Sequence, residues 1–242
     1  MLEGADGIIA VFFGQPTLKE QPDAPDIWAT LFDGAKPDAY NRNTSGPFPI
    51  STANGQWNSA KVQVTAQIGR IDLQWNALPG DEMGRPQQFP DIEAWVEKAC
   101  TALKCLAGSM RAVRLALVVN TSSKIPEGDP AVALSKLLGK VSFPPHGSDL
   151  LYRVNVQRSL LAAPSIKLNR LSTWQSGAHQ LFAFNPTASA PAVLEAINYI
   201  SHNVDINTLG VLDPAHANAE EIINEMYNEA ISILKLGRSF YD

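Results

Sequence analysis

The stretch KVQVTAQIGRIDLQWN at 61–76 constrains the fold more than any other part of this 242-residue chain. Val62, Val64, Ala66 and Ile68 alternate with polar residues, and Ile71, Leu73 and Trp75 alternate after them. A period of two is the mark of a strand with one buried face. If Gly69-Arg70 forms a two-residue turn with Gly first, Ile68 lies opposite Ile71 and both apolar sets share a face. The prediction is a β-hairpin whose wet side carries Gln63, Thr65, Gln67, Asp72, Gln74 and Asn76, none of them an obvious catalyst.

Other strands are expected around it. Residues 8–13 are apolar without alternation and closed by Gly14 and Pro16, which suits a strand buried on both faces. Residues 111–120 place Val113, Leu115, Leu117 and Val119 on one face, and 150–158, 166–174 and 178–184 read as three more strands. The turn Gln175-Ser176-Gly177 is expected to join the last two as a hairpin, and 192–208 is read as mainly strand. Residues 35–56, rich in Pro, Asn, Ser and Gly, read as one long loop, a length often associated with function.

Helices are expected where apolar residues recur at three and four. Ile27, Trp28, Leu31 and Phe32 form one before Gly34. Asp91 caps a second through Leu106 to Gly108, and Asp129-Pro130 opens a third that ends at Gly139. A fourth has Asp213 as cap and Pro214 first. Its stripe is Ile222, Ile223, Met226, Tyr227, Ala230, Ile233 and Leu234, with Glu220, Glu221, Glu225 and Glu229 ahead of Lys235 and Arg238 in the order the helix dipole prefers. Strands outnumber helices and no regular βαβ alternation runs through the chain. The fold class is therefore α+β, a mainly antiparallel sheet with packed amphipathic helices, and the loosely duplicated element order allows two related sub-sheets. We expect a single domain over 1–242, with any sub-division near 142–148.

Charge and composition exclude several roles. With 24 acids against 19 bases the formal charge is −5, the wrong sign for a protein that neutralises many phosphates, so nucleic acid is not the expected partner. Acidic Glu3 and Asp6 precede the apolar run where a secretory signal would be basic, and six apolar residues are too few to span a membrane. Cys100 and Cys105 fall about 140° apart on a helix, a poor geometry for a bridge. A cytoplasmic chain with free thiols is expected.

No catalytic motif is present. The four histidines, His146, His179, His202 and His216, show no zinc-ligand spacing, and neither a metal nor a cofactor is expected. His146, three residues from Asp149 in a Pro-Pro loop, is the best candidate for an oriented base, although a loop histidine is the plainer reading. His202 and Asp205 fall on opposite faces of an extended segment. Thr121-Ser122-Ser123-Lys124 puts Thr where a Ser-x-x-Lys nucleophile needs Ser, and reads as a strand-end turn. The loop acids Asp81-Glu82 and Glu127-Asp129 read as solvated. Arg111, Arg114, Arg153, Arg158 and Arg170 fall on strands, where they could share a face for an anionic ligand, but salt bridges to helices are the expected fate.

The runs WNSAKVQVTAQIGRIDLQW at 57–75 and RAVRLALVVNTSSKI at 111–125, with VDINT at 204–208 before the closing helix, resemble a sporadically distributed, uncharacterised bacterial family of about this length. That resemblance implies mobile-element, defence or toxin neighbourhoods and transfers no catalytic residue. The residues themselves lead us to expect a non-enzymatic interaction protein that binds a macromolecular partner, or itself, through a sheet face or long loops. The alternatives are an enzyme with a site assembled from His146, Asp149 and strand arginines, and an anion- or nucleotide-sensing binding protein.

Overall fold

The computed structural model describes residues 5–14, 23–78, 87–125, 128–183, 192–213 and 218–242, with the backbone alone for 179–183 and 192–196. Asp81, Glu82, Glu127, Phe184, Pro214, His216 and the side chain of His179 therefore lie outside the described residues. The strands are β1 (Ala5–Gly14), β2 (Ala39–Asn43), β3 (Ile50–Trp57), β4 (Ala60–Gln67), β5 (Arg70–Ala77), β6 (Ala112–Lys124), β7 (Leu151–Ser159), β8 (Lys167–Ala183) and β9 (Ala192–Leu209). The helices are α1 (Ala24–Leu31), α2 (Ile92–Ser109), α3 (Pro130–Leu138) and α4 (Ala219–Leu236), and a 3-10 turn closes the chain at Gly237–Tyr241.

All described strands join one antiparallel sheet in the order β2-β3-β4-β5-β1-β6-β9-β8-β7. The fold is α+β. The order repeats a plan: a strand (β1, then β6), a helix (α1, then α3), a meander whose last strand (β5, then β9) returns beside the first, and a closing helix (α2, then α4). The two halves meet where β1 pairs β6, and the sheet runs through without a break.

The pairing register decides which residues meet the helices. One row crosses the sheet as Gly55, Val62, Trp75, Ile8, Val119, Val204, Ser172 and Val154. Ile8, Val119 and Val204 from this row share the main core with Val96 and Leu103 of α2 and Ile222 and Met226 of α4. Trp28 of α1 reaches Gly55, and Leu134 and Leu138 of α3 cluster with Trp174 and Ile200 on the same side. All four helices thus cover one face. Burying these two apolar clusters is the main stabilising term.

Among the described residues the opposite face carries no helix. One of its rows is polar throughout, Gln56, Lys61, Asn76, Gly7, Asn120, Asn203, Thr173 and Arg153, while the next ones pass through Ile9, Val118 and Leu171 and through Val11 and Ala116. The central strand β1 is only partly as expected, since Ile9 and Phe13 on this face stay half-buried while Val11 is buried.

Several expectations need correction. Residues 35–56 are not one loop, because β2 and β3 form within them. The helix-side positions of β3 ahead of Trp57 are Ser51, Ala53 and Gly55, too small to give an apolar pattern. A Cβ on Gly55 would stand 2.8 Å from Trp28 Cη2, so the indole fills the space a larger strand residue would need. The β4–β5 turn is Ile68-Gly69, one residue earlier than expected, with Gln67 opposite Arg70 and Ala66 opposite Ile71. Gly69 takes the second turn position at φ +70°. A shift of pairing by two residues leaves the same side chains on each face, which is why the wet and dry sides were read correctly.

Residues 175–177 are not a turn: β8 runs on to Ala183, paired with β9. Thr121 to Lys124 likewise continue β6 against β9 instead of ending it. The cap of α4 is Asn218, whose side chain accepts from the Glu220 N–H, so the helix starts later than Asp213. Asp91 and Asp129 do cap α2 and α3.

Candidate functional site

The residues singled out from sequence do not converge. His146 lies in the loop between α3 and β7, with its side chain 92% exposed, and its Nδ1 is 3.5 Å from Asp129. The His146 backbone N–H donates to Asp129, and this bond, followed by the one from Ala131, holds the Asp129 carboxyl below its ordinary range. Asp149 is exposed, and no hydrogen bond joins it to His146 among those the structure defines. An imidazole open to water on nearly all sides lacks the enclosure that a general base needs.

The strand arginines divide between the faces. Arg158 and Arg170 point toward the helices, where Arg158 pairs with Glu225 and, at 2.7 Å, Glu229, while Arg170 reaches Glu229 at 3.3 Å. Arg114 and Arg153 are on the uncovered face. Arg114 is already bound to Asn207 Oδ1 at 2.9 Å and the Thr208 carbonyl at 3.0 Å. Arg111 is exposed just before β6. Salt bridges to a helix are thus the fate of two of the five.

His202 is a core residue. Its ring stacks on Trp174 at 4.2 Å between centroids and 8° between planes, and Nε2 lies 3.0 Å from Ser172 Oγ. Ser172 in turn meets the Tyr241 hydroxyl at 2.9 Å. Burial pushes the His202 pKa down to about 3, which keeps the ring neutral. Its Nε2 partner is the Ser172 hydroxyl, and it is 1% exposed. Asp205 is on the other face, as the strand reading required. Burial also pushes the Cys100 thiol up to about 12, while Cys105 is exposed, and both are free. Among the described residues no group of three His, Cys, Asp or Glu could hold a metal ion.

What the fold does build is a groove of about 720 Å³ on the uncovered face, across β6, β9, β8 and β7. Asn120 and Ser122 come from β6, and Ser201, Asn203 and Asp205 from β9. Leu171, Thr173 and Gln175 come from β8, and Arg153 from β7. Asp6 and Tyr199 flank them. These residues lie together because every second position of four adjacent antiparallel strands points the same way. The long β8–β9 pair, unbroken at Gly177, makes the groove possible. A Cβ at 177 would stand 2.5 Å from the Tyr199 hydroxyl, so glycine there leaves room for the tyrosine ring.

The groove is pre-organised by side-chain bonds. Asn203 Nδ2 donates to Asn120 Oδ1 at 2.6 Å, and Ser122 Oγ to Asp6 Oδ1 at 2.9 Å. Beside it an amide ladder runs from Gln157 to Asn169 Oδ1 at 3.0 Å, from Asn169 to Asn207 Oδ1 at 3.0 Å, and from Asn207 to Asp205 Oδ1 at 2.9 Å. Amides offer both donors and acceptors in fixed positions. The wet face of the β4–β5 hairpin is legible in the sequence, and this half of the polar face is not. Polar residues at alternate positions, Asn169, Thr173 and Gln175 and then Ser201, Asn203, Asp205 and Asn207, were the available signal.

Outside the groove, a second cavity of about 750 Å³ lies between the C-terminal end of α2 and the start of α4, beside Lys104, Arg111 and Glu220. No described helix is long and apolar enough to cross a membrane. Comparisons with family models, with curated proteins and with solved structures find no match to the chain.

Proposed function

We propose that this chain is a non-enzymatic binding protein that holds an extended segment of a protein partner in the groove over β6, β9, β8 and β7. The observation that carries this reading is the groove itself: amide and hydroxyl side chains, positioned by their own hydrogen bonds, on a sheet face that no described helix covers. A polypeptide backbone alternates donors and acceptors, and Asn, Gln, Ser and Thr side chains can satisfy both. The helical layer on the other side supplies the rigid support that such a surface needs.

Charge favours protein over phosphate. Asp6 and Asp205 stand in or beside the groove, the chain carries −5 overall, and three of its strand arginines already serve other groups. An anion sensor would need those guanidinium groups free. An enzyme assembled from His146 and Asp149 would need them near one another in an enclosed site, and His146 is 92% exposed.

The test is a paired capture from the native host, using the wild-type chain and Asn203→Arg, which crowds the groove floor and adds a charge. Asn203 is half-buried on the uncovered face, so the variant is checked for an unchanged far-ultraviolet spectrum and unfolding midpoint. A stoichiometric partner retained by the wild type and by Glu93→Arg on α2, but lost with Asn203→Arg, supports the reading. A partner held equally by all three contradicts it.

A further inference from the structure

The two ends of the sheet are unlike. β2, at one end, is five residues long and fully exposed, with Pro37 before it and Pro47 and Pro49 after it. Short length and flanking prolines are devices that discourage further strand pairing. β7, at the other end, is nine residues long, contains no proline, and pairs with β8 without a register shift. The repeated plan of the two halves sharpens the contrast. Counting outward from the central pair, β5 corresponds to β9, β4 to β8 and β3 to β7. In the first half β3 is covered by β2, and among the described residues nothing takes the equivalent place beside β7.

The free edge has a definite register. The Ser176 N–H donates to the Leu150 carbonyl at 3.0 Å and the Leu160 N–H to the Ile166 carbonyl at 2.9 Å. Even-numbered residues of β7 therefore share their backbone groups with β8, and odd-numbered ones, Leu151 through Ser159, turn theirs outward. Asn155 is the middle residue. An antiparallel copy of the same strand centred there would set Asn155 against itself and Arg153 against Gln157, satisfying the outward backbone groups between the two strands. On the helix side, half-buried Val154 would meet Val156, and Tyr152 would meet Arg158. Leu151, 56% exposed, opens β7 and Leu161, 83% exposed, lies just beyond its end, and the same register brings Leu151 of each copy toward Leu161 of the other.

We propose that β7 is a self-association edge: two copies of this chain join β7 to β7 about a two-fold axis at Asn155, extending both sheets into one. The axis stands perpendicular to the sheet, so both helical layers stay on one side and both grooves open on the other. This edge borders the partner groove, since Arg153 of β7 also lines it; the dimer is read through mass and position 155 and the groove through Asn203, so either reading can fail without the other.

The purified chain is measured by light scattering after gel filtration and by sedimentation velocity. Twice the chain mass at micromolar concentration is expected. Asn155→Lys, which sets like charges opposite each other on exposed side chains, should weaken the dimer by about tenfold or more. As a second variant, Asn155→Cys in a Cys105→Ser background should form a disulfide between copies under mild oxidation, because only a residue on the axis faces its own counterpart. Both variants place their change on an exposed position, and unfolding midpoints close to wild type confirm the fold. A wild-type chain that stays monomeric overturns the proposal. So does a dimer that is indifferent to Asn155→Lys and is not cross-linked at 155.

Discussion

The imidazole of His202 lies flat on Trp174 and is 1% exposed, so protonating it would place a charge in the core. Its pKa of about 3 in the folded chain lies below the ordinary 6.5. Between those values the unfolded chain binds a proton that the folded chain refuses, and stability falls as pH drops from about 6.5 toward 3. Denaturant unfolding should show a loss approaching about 1.4 kcal/mol per pH unit from this group in that window, and His202→Gln should flatten that part of the profile. A second residue-level expectation concerns Gly177. Alanine there forces the Tyr199 ring to move, so Gly177→Ala should cost about 1–3 kcal/mol and change Tyr199 fluorescence or its ring NMR shifts.

α4 is tied to the outer strands by Arg158 and Arg170 of β7 and β8, which both reach Glu229, and Arg158 also holds Glu225. The Glu225 carboxylate further accepts from the Leu161 N–H at 2.9 Å, fastening the β7–β8 connection. Removing Arg158 leaves two poorly exposed carboxylates with less compensation. Arg158→Ala should cost about 2 kcal/mol, below the figure for fully buried pairs because the site is partly wet. A double-mutant cycle with Glu225→Ala measures the share owed to that pair.

Elements with strong apolar periods were legible in the sequence. The 62–75 hairpin and the helices capped by Asp91 and Asp129 have the expected elements, because burial on one face leaves a period that composition cannot hide. The failures share a cause in packing across the sheet. Gly177 looked like a turn because a lone sequence does not show that Tyr199 lies across from it. β3 looked like loop because Trp28, distant in sequence, supplies the bulk that its own small residues lack. The groove went unread for the same reason: its polar residues come from four strands, and only their register brings them together.

The molecule as a whole is a one-sided sandwich. Two halves of the same plan meet at β1 and β6, every described helix packs on one face, and the other face carries polar side chains around an apolar centre of Ile9, Val11 and Phe13 on β1 and Ala116 and Val118 on β6. A sheet buried on one side needs no functional explanation, since antiparallel sheets commonly face water. What exceeds that plain arrangement is the groove: a concavity of about 720 Å³ with amides locked in place by mutual bonds and a tyrosine seated over a glycine. Side chains held in advance lose less freedom on binding, which is how a polar surface can gain affinity.

The most direct measurement is hydroxyl-radical footprinting of the chain alone and with the protein partner recovered by capture. Tyr199 and Leu171 report on the groove, while Val132 on α3 and Leu236 at the end of α4 report on the helical layer. Oxidation of Tyr199 and Leu171 should fall several-fold in the complex while Val132 and Leu236 react as before. Protection of Val132 or Leu236 with Tyr199 and Leu171 unchanged would contradict binding in the groove.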